Sequence, residues 1–357
     1  MKDNETVRGC LVLEDGKRFN GILFGSRENC SGEVVFNTGM VGYVEALTDP
    51  SYRGQILTFT YPLMGNYGVP DPDRFESERI QVRGAVVSTN IETPSHWESR
   101  SSLTDWMKEN NITGISDVDT RALTKHLRSR GTMLGRIVVG EGPEKDDIRD
   151  PNELDLVSEV TPKQTTIHKG KGPGILLIDC GSKESIARSL KDRNCSVIRV
   201  PYDHPLENVD YDGILISNGP GDPEKCLKTI KNIKKVMKKD NPPPIGGICL
   251  GNQILALASG ASTYKMKFGH RSQNQPCMES GTERCMITSQ NHGYAVDPKS
   301  LKNGFKVWYR NLNDNTVEGI HHEKLPFLSV QFHPEANPGP KDPEGFFDRF
   351  LEVVSDA

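Results

Sequence analysis

Ile245-Gly246-Gly247-Ile248-Cys249-Leu250-Gly251-Asn252-Gln253 is the stretch on which the reading of this chain turns. Pro242-Pro243-Pro244 cannot continue a preceding helix, and they deliver the backbone extended into Ile245. A short apolar strand follows, then a tight turn with Gly247 and Gly251 around Cys249, then a helix from near Asn252. Upstream, the same alternation recurs. Ile175-Leu176-Leu177-Ile178 is a continuous apolar run, as expected for a strand covered on both faces. Lys183 to Asp192 reads as a helix, Ser196 to Val200 and Gly213 to Ser217 as strands, and Glu224 to Lys239 as a Lys-rich helix. Repeated strand–helix alternation predicts an α/β unit, a mostly parallel sheet with helices on both faces. Ligands in such sheets sit beyond the C-terminal strand ends.

Gly-x-Cys-x-Gly has the physics of a nucleophile elbow. Small residues flank the central side chain because the backbone is sharply bent there. The following helix start directs partial positive charge at the sulfur and favours the thiolate. The N–H of Leu250 is placed to bind a developing oxyanion. A buried structural cysteine in a glycine-rich turn also fits the pentapeptide. Among the other cysteines, Cys180 and Cys195 fall in or beside predicted core strands, and Cys277 and Cys285 near a hairpin.

A second element distinguishes the two readings. In Val330-Gln331-Phe332-His333-Pro334-Glu335, an apolar strand runs to His333, and Glu335 lies two residues on. Both side chains can then point the same way, the carboxylate orienting the imidazole while its other nitrogen faces a thiol. His96 and His168 have no such context and read as ordinary polar residues. A third element, Ser217-Asn218-Gly219-Pro220-Gly221-Asp222-Pro223, follows a predicted strand, and the N–H of Gly221 can complete an oxyanion hole with that of Leu250. Alone it is a plain Gly/Pro turn. Neither a Walker-type Lys-Ser/Thr nor a Gly-x-Gly-x-x-Gly follows it, which disfavours a phosphate cradle.

The first part of the chain has another character. Short β-rich runs at Cys10–Leu13, Ile22–Phe24, Glu33–Phe36 and Gln55–Tyr61 are separated by Gly and Asp turn signals. Ser101 to Met107 and Asp119 to Leu127 read as capped helices, with Asp119 as the cap of the second. This predicts a smaller α+β domain. From Glu141 to Pro173 the composition turns polar and aperiodic. The expected division is therefore residues 1–150, a linker at 151–173, and an α/β domain at 174–357.

Composition narrows the classes. The chain has 357 residues, 26% charged and 35% hydrophobic, with 34 Gly, 23 Pro and a net charge of -4. No basic footprint for nucleic acid is present. No apolar run approaches the roughly 20 residues that span a bilayer, and Met1-Lys2-Asp3-Asn4-Glu5 lacks the layout of a signal peptide. Eight scattered cysteines without a Cys-x-x-Cys pair point to a reducing compartment, so a cytoplasmic location is expected.

Taken in order, Asn-Gly-Pro-Gly-Asp-Pro, Gly-Ile-Cys-Leu-Gly-x-Gln and His-Pro-Glu resemble the class I, triad-type glutamine amidotransferases. Phe36-Asn37-Thr38-Gly39-Met40-Val41-Gly42-Tyr43, Thr48-Asp49-Pro50-Ser51-Tyr52, Gly65-Asn66-Tyr67-Gly68, Val118-Asp119-Thr120-Arg121 and Gln290-Asn291-His292-Gly293 resemble the carbamoyl-phosphate synthetase small subunit. Gly269-His270-Arg271 and Asn274-Gln275-Pro276 look closer to the version fused into the eukaryotic multifunctional pyrimidine-pathway protein.

The resemblance implies Cys249 as nucleophile, His333 as base and Glu335 as its orienter, with Gly221 and Leu250 as oxyanion donors. It implies glutamine binding by Ser51, Gly219, Gly221, Leu250, Gln253, Asn291, Gly293 and Tyr294, with Ser51 contributed by the other domain. It implies no metal or cofactor in this chain. ATP and magnesium belong to a synthetase partner, a large subunit or fused domain, which receives the ammonia for the pyrimidine or arginine pathway. Three positions depart from the family pattern: Asn252 where His is usual, Ser185 where Asn is usual, and Ser272 where Gly is frequent. Asn252 keeps a second expectation open, a catalytically weakened regulatory module supporting an ammonia-dependent synthetase. An amidotransferase of anthranilate or GMP synthesis would lack the N-terminal domain.

Overall fold

The computed structural model describes residues 6–140, 148–207 and 209–357. The reading of Met1 to Glu5 and the start of the polar stretch, 141–147, lie outside the described residues. The chain forms two compact units, Met1–Leu154 and Asp155–Ala357.

The first unit is built on a closed barrel. Its strands run around the wall in the order Arg8–Leu13, Arg18–Gly25, Thr113–Ser116, Gly84–Val86, Gln55–Phe59, Cys30–Asn37 and Met133–Val139, which returns to the first. Period-2 alternation explains both faces. Val35, Leu57 and Ala85 pack with Leu47, Trp106 and Met107 from the helices Tyr43–Thr48 and Leu103–Glu109. Their strand neighbours Val34, Ile56 and Val86 are equally buried and face the other way. Both sequence-expected helices are capped as read. Ser102 Oγ accepts from Asp105 N at 3.0 Å, and Asp119 Oδ1 accepts from Ala122 N at 2.8 Å.

The second unit holds a mixed sheet. Five adjacent strands are parallel: Ser196–Pro201, Gly174–Asp179, Gly213–Ile216, Ile245–Ile248 and Phe327–Val330. Beyond the last, Val317–His322, Phe305–Asn311, Thr263–Glu279 and Cys285–Val296 continue the sheet antiparallel. The α/β reading stands, with the parallel part confined to these five strands. Alternate residues feed two cores. Leu176, Ile178, Ile214 and Ile216 pack with Ile233 and Val236 of the Leu227–Val236 helix and with Ile254 and Leu255 of the Leu250–Ser259 helix. Ile175, Leu177 and Leu215 pack with Ile186, Leu190, Phe347 and Phe350 on the opposite face.

The linker reading is corrected from Asp155 onward. Thr166–His168 adds an antiparallel edge strand to the sheet, pairing Ile167 with Ile198. Leu156 and Val157 are buried, and Thr161 Oγ1 donates to Asp179 O at 2.6 Å. A polar composition hid these attachments, because each partner lies far away in sequence.

Among the described residues, no helix is long and apolar enough to cross a membrane.

Candidate active site

The strand Ile245–Ile248 lies between Gly213–Ile216 and Phe327–Val330, parallel to both. Register pairs Ile216 with Gly247 and Ile248 with Val330. Three strand ends therefore deliver the Ser217 loop, Cys249 and the Gln331–Glu335 segment to one edge of the sheet.

Cys249 has φ 54° and ψ -102° and caps the helix Leu250–Ser259. This is a left-handed backbone for a residue bearing a Cβ, a strained arrangement of the kind that functional turns retain. The flanking glycines are sterically required. A Cβ on Gly247 would lie 2.6 Å from Gly251 C and O, and one on Gly251 would lie 2.2 Å from Ile216 O. The Cys249 N–H donates to Val330 O at 2.8 Å, fixing the elbow against the neighbouring strand end.

The strand expected to end at His333 ends at Val330, and His333 instead bridges to Ser289, its N–H donating to Ser289 O at 2.8 Å. Its Nδ1 lies 2.6 Å from Glu335 Oε1. The other ring nitrogen, Nε2, is buried without a hydrogen-bond partner, and Cys249 is near enough to favour the charged imidazole. Catalytic contacts of this kind tighten when substrate arrives. Burial works against the imidazolium, yet the Glu335 carboxylate and then Cys249 outweigh it, and the His333 pKa is pushed up to about 10. Burial likewise opposes the Glu335 carboxylate, but the charges of Lys183 and His333 bring it down to about 2.

Lys183 is the member of this cluster to which sequence reading gave no role. Its Nζ donates to Glu335 Oε1 at 2.8 Å and to Asn337 O at 2.6 Å. Its own N–H donates to Asn218 Oδ1 at 2.9 Å, tying it to the Gly219–Gly221 loop. The available signal was a lysine immediately after an apolar strand and a glycine turn, where a solvated lysine would be out of place.

The remaining expected residues of the second unit gather here. A Cβ on Gly219 would lie 2.1 Å from Cys180 O and 2.7 Å from Leu250 Cδ2, so the loop runs against the elbow. Gly221 adopts φ +82°, and Leu250 begins its helix with an N–H that no preceding turn can accept. Asn291 O accepts from Cys249 Sγ at 3.5 Å, and Gln253 Nε2 donates to Tyr294 O at 2.9 Å. Gly293 stands between them on the same strand. Ser51 belongs to the first unit, on the turn Pro50–Tyr52, with its N–H donating to Asp49 Oδ1 at 2.9 Å.

The three departures are all buried. Asn252 Nδ2 donates to Gln331 Oε1 at 3.1 Å and its Oδ1 accepts from Ser329 Oγ at 2.9 Å, so both ends of the amide are engaged under the sheet. Ser272 Oγ accepts from Gln275 Nε2 at 2.7 Å. Ser185 sits on the first turn of the helix Glu184–Asp192.

Residues 176–353 match the family Glutamine amidotransferase class-I, and residues 11–137 match Carbamoyl-phosphate synthase small chain, CPSase domain. The carbamoyl phosphate synthase arginine-specific small chain of Candida albicans is 46% identical, over 98% of this chain and 85% of its own length. The chain belongs to the carbamoyl-phosphate synthase small-chain family. The Multifunctional protein CAD of Squalus acanthias is 49% identical over 97% of this chain, and Multifunctional protein pyr1-3 of Dictyostelium discoideum is 45% identical over 97%. Of those two longer relatives the chain spans only 16% and 17%. Small-chain family membership thus covers both units, each matched by its own family description.

Proposed function

We propose that this chain is the glutamine-hydrolysing component of a carbamoyl-phosphate synthetase. The observation that carries the reading is the buried group of Cys249, His333, Glu335 and Lys183 at the strand ends, in which one Glu335 oxygen meets both His333 and Lys183.

His333 Nε2 takes the proton of the Cys249 thiol, and the thiolate attacks the side-chain carboxamide carbon of glutamine. The resulting oxyanion accepts hydrogen bonds from the N–H groups of Leu250 and Gly221. The imidazolium, held by Glu335, returns the proton to the departing nitrogen, and ammonia leaves. A γ-glutamyl thioester remains. Water, deprotonated by His333, attacks it, expels the thiolate and yields glutamate. This half-reaction calls for no metal or cofactor. Within the second unit, Gly219, Gly221, Leu250, Gln253, Asn291, Gly293 and Tyr294 hold the glutamine. Ammonia passes to a partner synthetase module, separate or fused, that consumes ATP and bicarbonate. A cytoplasmic setting fits the eight free thiols.

The regulatory-module reading rested on Asn252. That residue is bonded to Ser329 and Gln331 and leaves Cys249 and His333 intact. Two measurements test the proposal. A glutamine-analogue alkylator should label Cys249; an unlabelled thiol would favour the regulatory module. With the synthetase partner present, Cys249→Ser should abolish glutamine-driven synthesis and retain ammonia-driven synthesis. Equal loss of both would overturn the scheme.

A further inference from the structure

The strand that carries Asn291 and Tyr294 also contributes to a second polar cluster that the reaction above does not use. His270, His292 and Glu318 come from three different strands, are all buried, and bring one ligand-capable atom each to within 4.8 Å of one another. Gln290 joins them. Its Oε1 lies 2.8 Å from His270 Nδ1 and 3.0 Å from His292 Nε2. Glu318 Oε1 lies 3.2 Å from His270 Nδ1 and 3.8 Å from His292 Nε2.

These separations are the edges of a small tetrahedron. Four donors bound at the roughly 2.0–2.1 Å of zinc–nitrogen and zinc–oxygen bonds stand about 3.3 Å apart at tetrahedral angles. The four edges above bracket that value.

The outward faces of the two imidazoles are already committed. His270 Nε2 lies 2.9 Å from Asp314 Oδ2, and His292 Nδ1 lies 2.9 Å from Tyr294 O. Each acceptor draws the ring proton outward and turns a lone pair into the cluster, the arrangement that outer-shell acceptors impose on metal-ligating histidines. Gln290 cannot easily turn its amide nitrogen inward. That nitrogen donates to Thr288 Oγ1 at 3.0 Å and to Cys277 Sγ at 3.3 Å. Two ring lone pairs therefore face two oxygens. A proton on His270 Nδ1 relieves its own two edges but leaves His292 Nε2 facing Gln290 Oε1. Asn311 and Thr316 donate to Glu318 Oε1 at 3.4 and 3.2 Å, while Glu318 Oε2 is buried without a partner. A central cation satisfies every inward atom at once.

We propose that His270, His292, Glu318 and Gln290 form a structural site for a divalent transition-metal cation, zinc above all, pinning together three strands of the antiparallel half of the sheet. Two imidazoles and a carboxylate are a donor set that zinc accepts, with the Gln290 carbonyl as fourth ligand. The ion would touch neither Cys249 nor His333 and takes no part in the sulfur chemistry, although His292 shares the Tyr294 carbonyl with Gln253.

The test uses the whole chain carrying Cys249→Ser, so that the thiol cannot capture metal. After dialysis against a chelator, titration with Zn²⁺ should give one tight equivalent per chain and a raised Tm. Co²⁺ in its place should give a visible tetrahedral spectrum with no sulfur-to-metal charge-transfer band. Asp314→Asn, which replaces the outer acceptor of His270 and leaves all four ligands in place, should weaken Zn²⁺ binding about 10–100-fold. Glu318→Gln, nearly isosteric, should weaken it at least as much. Absence of a tight equivalent in the folded chain would overturn the proposal. So would Zn²⁺ affinity unchanged in both Asp314→Asn and Glu318→Gln, since the ion would then sit elsewhere.

Discussion

Lys183 Nζ stands 2.8 Å from Glu335 Oε1, the same oxygen that holds the His333 ring at 2.6 Å, and both ends of this ion pair are buried. One carboxylate oxygen thus serves a counter-ion and a catalytic imidazole together. Lys183→Met removes one of the two cations on this buried carboxylate and leaves it to the His333 imidazolium alone. Breaking a buried pair in this way costs about 3–5 kcal/mol, so the urea midpoint of Lys183→Met should fall sharply. Lys183→Met combined with Glu335→Gln removes both charges and should recover much of that loss. A double variant no more stable than the single one would show that the two groups are not coupled.

Cys249 holds a left-handed backbone while carrying a Cβ. Replacing an ordinary residue by glycine normally destabilises, because the unfolded chain gains freedom. At φ 54° the balance reverses, since strain in such regions is worth about 1–3 kcal/mol. Cys249→Gly should therefore be at least as stable as Cys249→Ala, by up to about 1–2 kcal/mol after the entropic loss. Both variants lack the thiol, so thermal unfolding compares backbone strain against the chain entropy and the one buried methyl that glycine gives up. A clearly less stable glycine variant would mean that the elbow is relaxed.

Gly251 is the converse case. Its added Cβ would meet Ile216 O at 2.2 Å, a backbone atom that cannot swing aside. Gly251→Ala should shift the helix start away from the strand ends and cost about 1–3 kcal/mol or more by overpacking. Glutamine hydrolysis should fall further than stability predicts, because Leu250 N–H moves with the helix. Near-normal turnover would argue against Leu250 as an oxyanion donor.

How much of this was legible in the sequence depended on the range of the signal. The parallel strands were apolar runs, and the elbow carried its own steric logic in Gly247 and Gly251, so both could be read locally. The antiparallel extension could not, apart from the hairpin expected near Cys277 and Cys285. Thr263–Glu279 carries Lys265, Lys267, Arg271, Gln273 and Asn274, and its strand character comes from pairing with Cys285–Val296. Barrel closure in the first unit likewise depends on Met133–Val139 meeting both Arg8–Leu13 and Cys30–Asn37, which no local pattern encodes. Lys183 was invisible as a site residue for the same reason, since its partner lies 152 residues away.

The triad should also leave its mark on stability against pH. The folded Glu335 pKa of about 2 lies below its ordinary value of 4.5. As pH falls, the unfolded chain takes up that proton first, so the stabilisation is complete above about 4.5 and drains away toward about 2. His333 behaves oppositely. With a folded pKa of about 10 against an ordinary 6.5, its contribution is complete below 6.5 and is lost as pH rises through 10. Glu335→Gln should flatten the acid limb of a stability–pH profile, and His333→Gln the alkaline limb. Profiles parallel to the parent chain on both sides would contradict the charge assignments.

Asn252 gives the last prediction, because its two bonds distinguish an amide from every close substitute. Its nitrogen donates to Gln331 Oε1 and its oxygen accepts from Ser329 Oγ, in a position with no exposure. Asn252→Ala strands Ser329 Oγ and leaves Gln331 Oε1 with Gln253 Nε2 alone, and should cost about 1–3 kcal/mol for the buried group left unpaired. Asn252→Asp keeps the shape and the bond from Ser329 but turns the donor into a second acceptor facing Gln331 Oε1. At neutral pH it also buries a charge with no counter-ion among the contacts of Asn252, so it should be the less stable of the two. Acidification that protonates the new carboxyl restores a donor and should narrow the gap. If Asn252→Asp matches the parent chain at neutral pH, the amide is not bonded as described, and the Gln331 link that connects it to Gln253 fails with it.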